Sequence, residues 1–154
     1  MISLKLALLM GTVISDQDLF TTVLTLEDNN PRGMQAIAEV VWNRANHDPE
    51  KVREVLLKRW QFSCLNSHTI HNGSLLSLVR KARGRSNWRT ASKIARATLA
   101  GKVEGHVGGA THYHVYTGRY KVSPYWTHPS LGGRNNKCRI VKFVGSHVFL
   151  SLVN

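Results

Sequence analysis

The sequence predicts a mainly α domain of the α+β class, with a small β element near its C-terminus. Three observations carry this. Apolar residues recur at helical spacing through the first two thirds of the chain. After Gly101 the texture changes to glycine, histidine, tyrosine and β-branched residues. No repeat, low-complexity tract or linker divides the 154 residues. Residues 1–154 therefore read as a single domain, long enough to bury about 70% of its unfolded surface.

Each element has its own signal. Met1 to Ile14 is an apolar run with Lys5 inside it and no small-residue cleavage site after it. It falls short of the roughly 20 residues that span a bilayer. A short buried helix is expected there, not a signal or an anchor. Ser15-Asp16-Gln17-Asp18 reads as a capping box, and Leu19, Val23, Leu24 and Leu26 as the apolar pattern of the helix it opens. Pro31 and the paired Asn29 and Asn30 are expected to stop that helix just past Glu27. A second helix, about Gly33 to Asn46, carries Met34, Ile37, Ala38, Val41 and Trp42 on one stripe, with Trp42 assigned to the core. Asp48-Pro49-Glu50 starts a short helix whose apolar face is Val52, Val55 and Leu56. Leu75 to Arg83 and Thr90 to Leu99 are further helices, joined by the basic turn Gly84-Arg85-Ser86-Asn87. Ile140 to Leu150 reads as a closing strand or hairpin.

Charge is the outlier in the composition. There are 21 Lys and Arg against 9 Asp and Glu, a formal net charge of +12. Such a field attracts polyanions but does not choose between nucleic acid and an anionic bacterial envelope. Basic residues cluster at Arg80, Lys81, Arg83 and Arg85, and Arg89, Lys93 and Arg96 share one helix face. No RRM, KH or finger signature accompanies them, so no specific nucleic-acid partner is expected. Cys64 and Cys138 allow a single bridge or two buried thiols, and no CxxC spacing suggests structural zinc. His112 and His114 would share one face of a strand. No third ligand is identifiable among His68, His71, His106, His128 and His147, so a zinc amidase is not favoured and no metal or cofactor is expected.

Three ordered segments carry the chemistry. Glu27 precedes Gly33-Met34-Gln35-Ala36-Ile37-Ala38-Glu39-Val40-Val41-Trp42-Asn43-Arg44. Trp60-Gln61-Phe62-Ser63-Cys64 follows. Gly109-Ala110-Thr111-His112-Tyr113-His114 comes later, with Pro124-Tyr125-Trp126 and Gly145-Ser146-His147-Val148-Phe149 behind it. Glu27 closes an apolar helix and faces a polar turn. An ionised carboxylate is disfavoured at a helix C-terminus, which suits a general acid.

In order and spacing this set resembles the cell-wall hydrolase family of the spore cortex-lytic enzymes, over roughly residues 16 to 150. The loop between Glu27 and Gly33 looks about two residues shorter than in typical members. The resemblance implies a lysozyme-like fold related to lytic transglycosylases, acting on peptidoglycan. It makes Glu27 the catalytic acid between N-acetylmuramic acid and N-acetylglucosamine. It makes Gln61, Phe62, Ser63, Thr111, His112, Tyr113 and Trp126 the substrate-binding residues, with His112 and Tyr113 as the cleft wall. Trp60 and Tyr125 are further candidates for that wall. Neither Asp28 nor Glu39 carries the signature of a second catalytic carboxylate. A lone acid fits transglycosylation better than hydrolysis, and a muramidase on the same scaffold is the alternative. The basic surface would then hold anionic envelope polymers. Small size, positive charge and no clear signal peptide point to a bacteriophage lysis or virion-associated enzyme. A basic nucleic-acid-binding domain and a non-catalytic virion component are the rival readings.

Overall fold

A computed structural model describes residues 14–58, 61–65, 74–116, 126–131 and 133–152. The expected N-terminal helix, together with Trp60, His68, His71, Pro124 and Tyr125, lies outside those residues.

Helix α1 (Asp16–Glu27) starts where the capping signal places it, with Ser15 Oγ accepting the Asp18 N–H at 3.0 Å. Its Leu19, Phe20, Thr21, Thr22, Val23, Leu24 and Thr25 are all buried. A helix buried on every side needs neighbours on every side. Helices α2 (Pro31–Arg44), α3 (Val52–Leu57), α4 (Ser74–Arg83) and α5 (Trp88–Leu99) all pack against it. The fully buried Leu19, Phe20, Val23 and Leu24 each contribute about 1.5–3 kcal/mol by leaving water. Thr21 and Thr22 tolerate burial because their hydroxyls donate to the Gln17 and Asp18 carbonyls one turn back, at 2.6 and 2.7 Å. Sequence periodicity identified the leucines but not this complete burial.

The expected role of Pro31 is corrected by the structure. It opens α2 at the first helical position, where a missing N–H costs nothing. Asn30 caps that helix, its Oδ1 accepting the Arg32 N–H at 2.9 Å. So α2 begins two residues earlier than the pattern indicates. It also ends earlier, at Arg44, because Asn46 (φ 53°) and His47 (φ 59°) turn left-handed. The His47 N–H closes the end on the Trp42 carbonyl at 3.0 Å, and its ring stacks on Trp42. Asp48 caps a 3-10 turn, Pro49–Lys51, that leads into α3.

The closing element is a three-stranded antiparallel sheet of β1 (His112–Val115), β2 (Cys138–Val144) and β3 (His147–Leu152), with β3 in the middle. Gly145 (φ 57°) makes the β2–β3 hairpin turn, where the left-handed backbone favours glycine. Val148, Phe149 and Leu150 are all fully buried. Phe149 joins the helical core, while Val148 and Leu150 join a smaller cluster with Leu131 and Cys138. This alternation gives β3 two buried faces, and the strand reads as a continuous apolar run. Among the described residues, no helix is long and apolar enough to cross a membrane.

Candidate active site

Glu27 is the last residue of α1, at the point where the buried helix meets the sheet. The Tyr113 hydroxyl on β1 donates to Glu27 Oε2 at 3.0 Å. Tyr113 stacks on its cross-strand partner Phe149, ring centroids 5.6 Å apart, which fixes the phenol. Burial and the neighbouring carboxylate hold the tyrosine hydroxyl well above its usual range, so it stays a donor. The Cys64 thiol lies near the same carboxylate. Burial, then the Glu27 charge, push that thiol up as well, so it too remains protonated. Cys64 and Cys138 are separate free thiols.

The loop after Glu27 is fixed from three sides. Asn87, the residue before α5, donates through Nδ2 to the Thr25 and Asp28 carbonyls at 3.1 and 3.2 Å. Asp28 Oδ1 accepts the Asn30 N–H at 2.8 Å. Asp28 Oδ2 lies 3.2 Å from His147 Nδ1, an electrostatic contact set off the line of a hydrogen bond. The Asp28 carboxyl occupies the space left by the missing side chain of Gly33. A Cβ there would lie 1.9 Å from Oδ2.

One face of α2 holds the segment that carries Tyr113. Buried Glu39 accepts the His106 and Val107 N–H groups at 2.8 and 3.0 Å. Asn43 Nδ2 donates to the Gly108 and Ala110 carbonyls at 2.8 and 2.9 Å. Arg44 Nε donates to the Thr111 carbonyl. These three side chains, spaced along α2, account for the polar half of the Gly33–Arg44 motif. They seat residues 106–111 and so deliver β1 to Glu27.

Arg44 has a second aspect. Its guanidinium lies 5.8 Å from the Phe62 ring centroid, and its Nη1 is buried without a hydrogen-bond partner. Burial lowers its pKa from the usual arginine value, and its charge acts on Tyr113 and His112. Arg44 also lines a cavity of about 490 Å³ together with Gln61 and His112.

The residues expected at the site divide accordingly. Tyr113 reaches Glu27. His112 points to the opposite face of β1, where it and His114 lie against Trp126, 5.3 and 5.9 Å between ring centroids. His112 and Tyr113 therefore do not form one continuous wall, because neighbours on a strand alternate faces. Thr111 Oγ1 contacts His112 Nδ1 at 2.9 Å. Burial, then Arg44, lower the His112 pKa to about 4, leaving it neutral at neutral pH. Gln61 lines the cavity, and Ser63 sits in the 3-10 turn Ser63–Leu65. Phe62, expected to meet substrate, is 2% exposed and belongs to the apolar core. Its ring underlies Arg44 and has no open face for a sugar. Sequence reasoning missed Arg44, Cys64, Asn87 and the Asp28–His147 contact as parts of the site. Asn43-Arg44 at the end of the motif was the available signal, since a conspicuous polar pair closes the apolar run Val40-Val41-Trp42.

A model of the Cell Wall Hydrolase family matches residues 28–150. The match begins one residue after Glu27 and takes in every other site residue named above. No curated protein and no solved structure matches the chain.

Proposed function

Because that match spans most of the chain, the chain belongs to the cell wall hydrolase family and degrades peptidoglycan, and we propose that Glu27 is its catalytic acid. The bond cleaved joins N-acetylmuramic acid to N-acetylglucosamine. One observation carries the reading: Glu27, at the end of a buried helix, is the carboxylate that accepts the Tyr113 hydroxyl. The nearby carboxylates of Asp28 and Glu39 are engaged elsewhere, on His147 and on backbone N–H groups. With one acid available, the same group protonates the leaving oxygen and then accepts a proton from the attacking hydroxyl. Attack by the muramic acid C6 hydroxyl gives a 1,6-anhydro end and makes the enzyme a lytic transglycosylase. Attack by water on the same scaffold would make it a muramidase.

The exposed Arg89, Lys93 and Arg96 face of α5, within a chain of net charge +12, supports adhesion to anionic envelope polymers. A phage lysis or entry role belongs to the same proposal, supported by the small, basic character of the chain.

The test is digestion of purified peptidoglycan by wild type and Glu27→Gln, with products read by mass spectrometry. Anhydro-muramic ends from wild type alone are expected. Reducing ends, heavier by one water, would replace transglycosylation with hydrolysis. Activity retained by a folded Glu27→Gln protein would remove Glu27 from the role. Products from neither protein would move the weight to a binding or structural role.

A further inference from the structure

The cavity at Arg44 is cationic. Arg44, Lys51 and Lys58 line it against a single acid, Glu54. Lys51 is 55% exposed and only 3.8 Å from Asp48, a contact of little strength. Arg44 differs from the two lysines. Its Nε is committed to the Thr111 carbonyl, while its buried Nη1 has no partner. The guanidinium lines the cavity beside Lys51 and Lys58, and the acceptor that suits such a cluster of cations is an anionic oxygen. Val55 and three neutral polar side chains complete the lining. Asn46 and Gln61 bring amides, and His112 is held uncharged, so it adds no charge that must be neutralised. Arg44 links the cavity to the catalytic centre: it lines the cavity, and its Nε holds the Thr111 carbonyl two residues before Tyr113, the donor to Glu27.

We propose that this cavity is a carboxylate-binding subsite that recognises the acidic substituent of the muramyl residue, with Arg44 as its principal contact. The inference deepens the glycan-cleavage reading by naming what distinguishes the substrate from a neutral glucosamine polymer. Two carboxylates have the required chemistry. One is the free lactyl group of an unsubstituted muramic acid, and the other is a carboxylate of an attached stem peptide. Either would place Arg44 under a charge-assisted hydrogen bond while the glycan continues toward Glu27.

Binding tests this apart from turnover. The Glu27→Gln protein is titrated calorimetrically at 0.15 M salt with three tetrasaccharides: one with free lactyl groups, one bearing stem peptides, and chitotetraose with no carboxylate. At least one acidic probe is expected to bind about tenfold more tightly than chitotetraose, and the tighter of the two identifies the carboxylate. The preference is expected to vanish in an added Arg44→Gln and to narrow in an added Lys51→Gln/Lys58→Gln, which alters only exposed side chains and serves if the first fails to fold. Removing Arg89, Lys93 and Arg96 together, none of which lines the cavity, should leave the preference intact. Equal affinity for all three probes overturns the subsite, as does a preference lost equally in the α5 variant. Wild-type cleavage of strands with no such preference would sink the subsite and spare Glu27. Preference without cleavage would do the reverse.

Discussion

At the residue scale, Glu27 is held by one protonated donor, Tyr113, with the protonated thiol of Cys64 nearby. Burial keeps both the Tyr113 phenol and the Cys64 thiol from ionising, so neither competes with the carboxyl as a negative charge. The Tyr113 hydroxyl instead fixes the carboxyl's orientation, and orientation is what a general acid needs. A hydrogen bond to a charged group is worth about 1.5–3 kcal/mol. Tyr113→Phe should therefore lower kcat on purified glycan strands by roughly 10- to 100-fold, and should also lower the melting temperature, since the same bond is lost from the folded state while the ring still packs on Phe149. An unchanged kcat would make the contact ornamental. His112, on the other face of β1, supports a prediction of a different kind. Its pKa is about 4 in the fold against an ordinary 6.5. Between those values the unfolded chain binds more protons than the folded one, so stability falls as pH drops through this window. Melting temperatures measured from pH 7 to pH 4 should decline less steeply in His112→Gln than in wild type. Parallel declines would mean that His112 titrates normally in the fold.

At the element scale, α2 works as a bracket. Its apolar stripe packs the core, and its polar residues Glu39, Asn43 and Arg44 hold the strand segment that brings Tyr113 to Glu27. Its first turn leaves room at Gly33 for the Asp28 carboxyl. In Gly33→Ala the new Cβ meets a carboxyl already tied to Asn30 and close against His147. That carboxyl cannot swing away freely, and a loss of about 1–3 kcal/mol is expected in urea denaturation. A loss within error would show that the loop adapts. Much of this bracket was legible in the sequence, because periodicity and caps are local. Ser15, Asp48 and the α2 stripe needed only their neighbours in the chain. Pro31 was misjudged because a proline that ends one helix and one that opens the next look alike until the cap at Asn30 is placed. The partners of Asn43, Arg44 and Cys64 lie beyond the reach of local pattern. Asn43 and Arg44 meet residues 65 or more positions away, and only packing decides which distant group each one meets.

At the scale of the whole molecule, much of the negative charge is engaged internally while basic side chains remain at the surface. Asp16 pairs with Arg53 and Asp18 with Arg83. Asp28 faces His147, and Glu39 is turned onto backbone N–H groups. Arg80, Lys81, Arg89, Lys93 and Arg96 stay exposed along α4 and α5. A polyanionic surface meets the sum of these charges, whereas a short oligosaccharide in the cleft meets only the few beside it. Salt separates the two cases, because the screening length shrinks from about 10 Å at 0.1 M to about 3 Å at 1 M. Cleavage of intact sacculi should therefore fall steeply as salt rises across that range, while cleavage of short soluble strands falls less. Replacing Arg89, Lys93 and Arg96 by Gln should flatten the first dependence and leave the second as it was. The ratio of rates on the two substrates, followed against salt in both proteins, is the measurement. If sacculi and short strands respond to salt alike, the surface charge contributes nothing to engaging the wall, and the few cations lining the cleft account for the whole electrostatic effect.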